Sequence, residues 1–114
     1  MIKKIRVFVV DDSIFFRQML INDLKERSNL EVVGFAASAL EARTKIPTIK
    51  PVVITMDVEM PGLSGIDFLK ELLPKHPIPV ILVSSLNLSV FDALAAGAVD
   101  FVQKPNMSRD YNVK

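Results

Sequence analysis

The chain has 114 residues, no cysteine and a single histidine, and none of its apolar runs approaches the ~20 residues that a membrane-spanning helix needs. The missing cysteine excludes disulfides and thiolate metal sites. His76 stands in Lys75-His76-Pro77 with no catalytic or metal-binding partner nearby in sequence, and reads as an exposed loop residue. The first residues lead straight into a strand-like run rather than a signal-peptide core, so the expected compartment is the cytoplasm. A formal net charge of +1 lacks the basic excess of a dedicated nucleic-acid binder. Lys3, Lys4 and Arg6 make only a short basic start, expected to be solvated.

Half of the residues are hydrophobic and 24% are charged, which is the composition of a filled interior. The length suits one domain spanning residues 1–114. Strand-like runs occur at Ile5 to Val10, Glu31 to Phe35, Val52 to Met56, Pro79 to Val83 and Val99 to Val102. Several are continuously apolar, as expected of strands covered on both faces.

Helical segments lie between these runs. The first starts at Ser13, with Asp12 or Ser13 as its cap, and sets Phe16, Met19, Leu20 and Leu24 on one stripe. The second, Ala39 to Ile46, is expected to stop before Pro47. The third runs from Gly65 to Leu73 with Ser64 as its cap, and the fourth from Ser89 to Ala96 ends at Gly97. Beyond Pro105, Asn106 to Lys114 are too few for a convincing last helix, and read as a shortened or disordered tail. Strands alternating with short helices imply a doubly wound, parallel α/β sheet.

The acids are placed tellingly. Asp11 and Asp12 follow the first run and Asp57 follows the third, while Ser84 and Lys104 follow the fourth and fifth. In a parallel sheet all these positions share the carboxyl edge, where ligands bind at the point of strand-order reversal. Asp11-Asp12 alone is accounted for by helix capping, and Asp57 alone by the usual polar end of a strand. Their conjunction is not. Grouped carboxylates repel one another and call for a hard divalent cation, leaving a lysine and a hydroxyl to hold an anion. The combination reads as Mg²⁺, on Asp12 and Asp57 with Asp11 acting through water, together with a phosphate. Gly62-Leu63-Ser64-Gly65 is not a nucleophile elbow, because its second glycine comes one residue early.

Val9-Val10-Asp11-Asp12-Ser13, Met56-Asp57-Val58-Glu59-Met60-Pro61, Gly65, Val83-Ser84-Ser85 and Lys104-Pro105 together resemble the receiver domain of two-component response regulators. The resemblance implies a flavodoxin-like five-stranded sheet of order 2-1-3-4-5, its last helix short or missing. It makes Asp57 the phosphoacceptor, with Mg²⁺ on Asp12, Asp57 and the backbone carbonyl of Glu59 and with Asp11 nearby. Lys104 and Ser84 would hold the phosphoryl group, Ser84 and Phe101 would form the switch, and the bond before Pro105 would be cis. Phe101 is equally well read as an ordinary strand residue.

Asp57-Val58-Glu59-Met60-Pro61-Gly62, Pro79 to Leu86 and Gly97 to Val102 resemble more narrowly the N-terminal regulatory domain of chemotaxis protein-glutamate methylesterases. The stretch Asn87 to Ala96 is a few residues shorter than that subfamily carries. The partners implied are a sensor histidine kinase and a C-terminal effector domain or partner protein, with a second copy of the chain as an alternative. The domain itself would catalyse only its own phosphorylation and dephosphorylation, whereas a parent protein could be a methylesterase. Two other functions compete: a haloacid-dehalogenase-like phosphatase, which wants an aspartate where this chain has Glu59, and a module that binds proteins without phosphorylation. Leu88, Val90, Phe91 and Leu94 mark the fourth helix as the expected partner-facing side.

Overall fold

The computed structural model describes residues 3–85 and 90–104, with the backbone alone for Val90 and Phe91. The elements follow as β1 (Ile5–Val10), α1 (Ile14–Lys25), β2 (Leu30–Ala36), α2 (Ala39–Ile49), β3 (Val53–Asp57), α3 (Gly65–Leu72), β4 (Val80–Ser84), α4 (Val90–Ala95) and β5 (Asp100–Gln103). All five strands pair in parallel, in the expected order β2-β1-β3-β4-β5. The order reverses between β1 and β3. The last helix expectation and the Lys104–Pro105 bond, predicted cis, lie outside the described residues.

Strand alternation divides the interior into two layers. Phe8 and Val10, Ile54 and Met56, and Val80 and Leu82 face α2, α3 and α4, where they join Ala42, Ile46, Phe68, Leu69 and Ala93. Val7 and Val9 face the other way and meet Ile21 of α1, flanked by Leu20, Leu24, Leu30 and Val32. The unbroken apolar run from Val7 to Val10 in β1 follows from its being covered on both faces. Of the expected α1 stripe, Phe16 is buried, but Met19, Leu20 and Leu24 are only partly so, and Ile21 takes the central place. The line of α1 directly over Val7 and Val9 is narrow, and Ile21 lies on it.

Three expectations need correction. α2 does not stop at Ile46; it continues through Pro47 to Ile49. Pro47 costs the helix one hydrogen bond in its last turn, whereas continuing buries Ile46 fully and packs Ile49 on the core. Arg6 is not an idle surface charge. Its guanidinium donates to the Lys50 carbonyl at 2.6 Å and the Ile49 carbonyl at 2.8 Å, satisfying the open end of α2. His76 is partly buried rather than exposed, and its N–H bonds the Leu72 carbonyl at the end of α3.

Three of the helix starts use a serine. Ser13, Ser38 and Ser64 accept hydrogen bonds from the N–H of Phe16, Glu41 and Asp67. Ser13, not Asp12, therefore caps α1, which leaves the Asp12 carboxylate out of the helix. Among the described residues no helix is long and apolar enough to cross a membrane.

α3 is seated directly on the end of β3. The Gly65 N–H bonds the Val58 carbonyl at 2.9 Å, and a Cβ at position 65 would stand 2.1 Å from the Asp57 carbonyl oxygen. No rotamer relieves a clash between Cβ and backbone. Gly65→Ala is expected to lower stability in urea unfolding by about 1–3 kcal/mol, by forcing α3 off the end of β3. An unchanged midpoint would show that the seat is looser than drawn.

Candidate functional site

The carboxyl edge of the sheet gathers the acids that the sequence singled out. Asp57 closes β3 and Asp11 follows β1, so neighbouring strands carry them side by side, 2% and 1% exposed. Asp12 is exposed. Carboxylate oxygens of Asp11, Asp12 and Asp57 all lie within 4.8 Å of one another. This donor set of hard oxygens suits a divalent cation such as Mg²⁺.

Lys104 enters from the end of β5. Its Nζ is 2.9 Å from Asp11 Oδ2 and 3.4 Å from Asp57 Oδ1, and 4.5 Å from the centre of the Phe16 ring. The lysine expected to wait for an anion is thus already engaged by acids. Its backbone N–H bonds the Ser84 carbonyl at 2.7 Å, tying the ends of β4 and β5 together. Asp11 is held in turn: Oδ1 accepts from the Ser13 N–H at 2.9 Å, and its carbonyl accepts from Arg17 at 2.7 Å.

These contacts set the charge states. Burial, then the charge of Asp11, then hydrogen bonding to Asp12 push the Asp57 carboxyl up from 3.8 to about 7, against the pull of Lys104. For Lys104, burial works against its charge, but hydrogen bonding to Asp11 and the charges of Asp11 and Asp57 outweigh it and raise the pKa. A divalent cation arriving here would displace a proton as well as relieve repulsion.

The Ser84 hydroxyl is at the site but is occupied differently from the expectation. It donates to Glu59 Oε2, while Ser85 donates to Glu59 Oε1 through its Oγ at 2.5 Å and its N–H at 3.3 Å. Burial raises the Glu59 carboxyl, but these hydrogen bonds from Ser84 and Ser85 outweigh it and leave the pKa lowered. The Glu59 N–H points back to Asp57 Oδ1 at 3.3 Å. Sequence reasoning gave position 59 only its peptide carbonyl, and so missed its side chain. The available signal was a carboxylate two residues past Asp57 facing two adjacent hydroxyls on the next strand. Arg17 and Phe16 were also missed, though they sit one turn into the helix that starts at the site. Phe101 lies on β5, partly buried and packed against the main core. Leu94, Val99 and Val102 are 47%, 58% and 49% exposed, and the side chains of Leu88, Val90 and Phe91 lie outside the described residues.

Acids at the reversal point of a doubly wound sheet, with a lysine and a serine on the next strand ends, define a class of small α/β domain built to bring a cation and an anion together. The chain belongs to the response regulator receiver domain family, whose sequence profile matches residues 7–112. It is 49% identical over 109 residues to protein-glutamate methylesterase/protein-glutamine glutaminase 2 of Syntrophomonas wolfei, covering 96% of this chain and 32% of that protein. To the corresponding protein of Syntrophotalea carbinolica it is 50% identical over 107 residues, covering 90% and 30%. The chain thus spans about a third of the length of these curated relatives. Among solved structures, the response regulator domain of Thermotoga maritima CheB superposes with a TM-score of 0.86 at 48% identity, covering 91% of this chain and 81% of that one. A CheX–CheY complex with BeF3 and Mg²⁺ from Borrelia burgdorferi matches with a TM-score of 0.82 at 27% identity, covering 97% and 90%.

The raised pKa of Asp57 makes a pH dependence with a definite sign. Between 3.8 and about 7 the folded chain holds a proton at Asp57 that the unfolded chain has released. Stability from this group is therefore fully present below 3.8 and lost as pH rises through about 7. In EDTA, the urea midpoint of Asp57→Asn should exceed that of the unsubstituted chain most at pH 8 and least at pH 4. An equal difference at both pH values contradicts the assigned repulsion.

Proposed function

We propose that the chain is a phosphoryl-accepting switch in which Asp57 is the acceptor and a histidine kinase is the donor. The observation that carries this reading is the buried Asp57 carboxylate, within 4.8 Å of two further acids and 3.4 Å from Lys104 Nζ. An Asp57 oxygen attacks phosphorus, the P–N bond of the phosphohistidine breaks, and its electron pair stays on the imidazole nitrogen. The product is an acyl phosphate on Asp57, and such chemistry needs positioning and charge neutralisation above all. Mg²⁺ held by Asp12, Asp57 and the Glu59 carbonyl, with Asp11 through water, would supply that neutralisation. Lys104 then exchanges its carboxylate partners for a phosphoryl oxygen, and Ser84 can donate its hydroxyl to another.

The output is binding. The high identity to methylesterases over the receiver portion supports a regulatory role toward an attached effector domain, placed with its kinase in the cytoplasm. The exposed Leu94, Val99 and Val102 support the α4–β5 side as the face presented to that domain or to a second copy. Phe101 serves there as the aromatic that reports the state of Ser84. The engagement of the Glu59 carboxylate by Ser84 and Ser85 speaks against the acid–base role that a haloacid-dehalogenase-like phosphatase would need at this position.

Acetyl phosphate with Mg²⁺ should label the chain once, and Asp57→Asn should abolish the label; incorporation that survives this substitution refutes the acceptor assignment. Lys104→Ala and Ser84→Ala should still be labelled, but amide-exchange changes across residues 87 to 104 should be lost. Mg²⁺ titration should show one saturable site, weakened by Asp12→Asn without unfolding of the domain, because Ser13 and not Asp12 caps α1. A titration without saturation removes the cation from the reading.

A further inference from the structure

Resting on the acceptor reading, we propose that the Glu59 carboxylate is an internal competitor of the phosphoryl group for the Ser84 hydroxyl, and so holds the end of β4 in its resting arrangement. Both carboxylate oxygens are engaged, Oε2 by the Ser84 hydroxyl and Oε1 by the hydroxyl and N–H of Ser85. The same short segment reaches back to Asp57 through the Glu59 N–H. Glu59 thus bridges the acceptor to the end of β4.

The competition follows from valence and charge. A serine hydroxyl has one proton, and Ser84 is fully buried, so that proton goes to one strong acceptor at a time. A carboxylate and a phosphoryl oxygen are both ionised acceptors of similar strength, so the exchange between them is nearly balanced. Near balance is what a two-state element requires, since a ligand shifts it only by its differential affinity for the two arrangements. Glu59 is itself only partly buried, so its displaced carboxylate can pass to water. Because the Ser84 carbonyl accepts from the Lys104 N–H, the hydroxyl's change of partner acts on the strand that carries the site lysine.

The test is Mg²⁺-dependent binding of beryllofluoride, followed by fluorine NMR, in the unsubstituted chain, Glu59→Gln, Ser84→Ala and the double variant. Glu59→Gln should bind about tenfold tighter or more, the scale of one hydrogen bond to a charged group. Loss of a negative charge also tightens anion binding, so the double variant decides. With Ser84→Ala in the background, the gain from Glu59→Gln should shrink to a few-fold. Ser85→Ala, which removes one of the two hydrogen bonds holding Oε1 without altering charge, should tighten binding by a smaller factor, and it carries the test should Glu59→Gln unfold. The same gain in both backgrounds, or no gain with either substitution, overturns the competition while leaving the acceptor reading intact. An unsubstituted chain that binds no beryllofluoride in Mg²⁺ overturns the acceptor reading and the competition with it.

Discussion

The repulsion among Asp11, Asp12 and Asp57 is the constraint on which the rest of the structure turns. Adjacent strands in a sheet lie about 4.8 Å apart, so acids at the ends of β1 and β3 cannot separate without breaking the ladder between them. Burial of Asp11 and Asp57 removes the water that would screen these two. The protein answers with Lys104 from the end of β5, and with the Ser13 N–H, which holds the Asp11 carboxylate at the start of α1. Even so, the Asp57 carboxyl remains raised to about 7. A cation bound among these carboxylates would favour release of the Asp57 proton.

Cations elsewhere do structural work that their exposure conceals. Phe35 is 44% exposed, which in isolation reads as a docking patch, yet Arg17 and Lys45 stand over its ring at 4.9 and 5.2 Å. Lys45 also donates to the Phe35 carbonyl and to Glu41, whose other oxygen accepts from the Ala37 N–H ahead of α2. The ring is a platform for charged side chains rather than a free apolar surface. Arg6 plays a comparable part at the opposite edge of the sheet, where it closes the end of α2.

What could be read without coordinates was what backbone topology alone decides. Asp11, Asp57, Ser84 and Lys104 stand at the ends of the first, third, fourth and fifth strand-like runs, and a parallel sheet must bring such positions to one edge. The strand order itself came through resemblance, because periodicity does not rank strands. The extension of α2 past Pro47 was hidden, since a local rule about proline competes with burial of Ile46 and Ile49, and only packing shows which wins. Ile21 escaped for a similar reason: a helical stripe fixes a face but not which residue lies over Val7 and Val9. The Glu59 side chain was missed because its partners, Ser84 closing β4 and Ser85 just past it, are 25 and 26 residues away in sequence.

β5 is one of the sheet's two outer strands and, among the described residues, pairs only with β4, along four residues. Edge strands fray first. Mounting the site lysine there makes fraying of the edge and repulsion among the acids parts of one equilibrium. When β5 lifts away, Asp11 and Asp57 lose their counter-charge; when something else neutralises those acids, β5 loses the side-chain tether that Lys104 provides. An anion bound beside Asp57 restores a partner for the lysine and fastens the strand again. The security of the edge is thereby a function of what occupies the middle of the sheet.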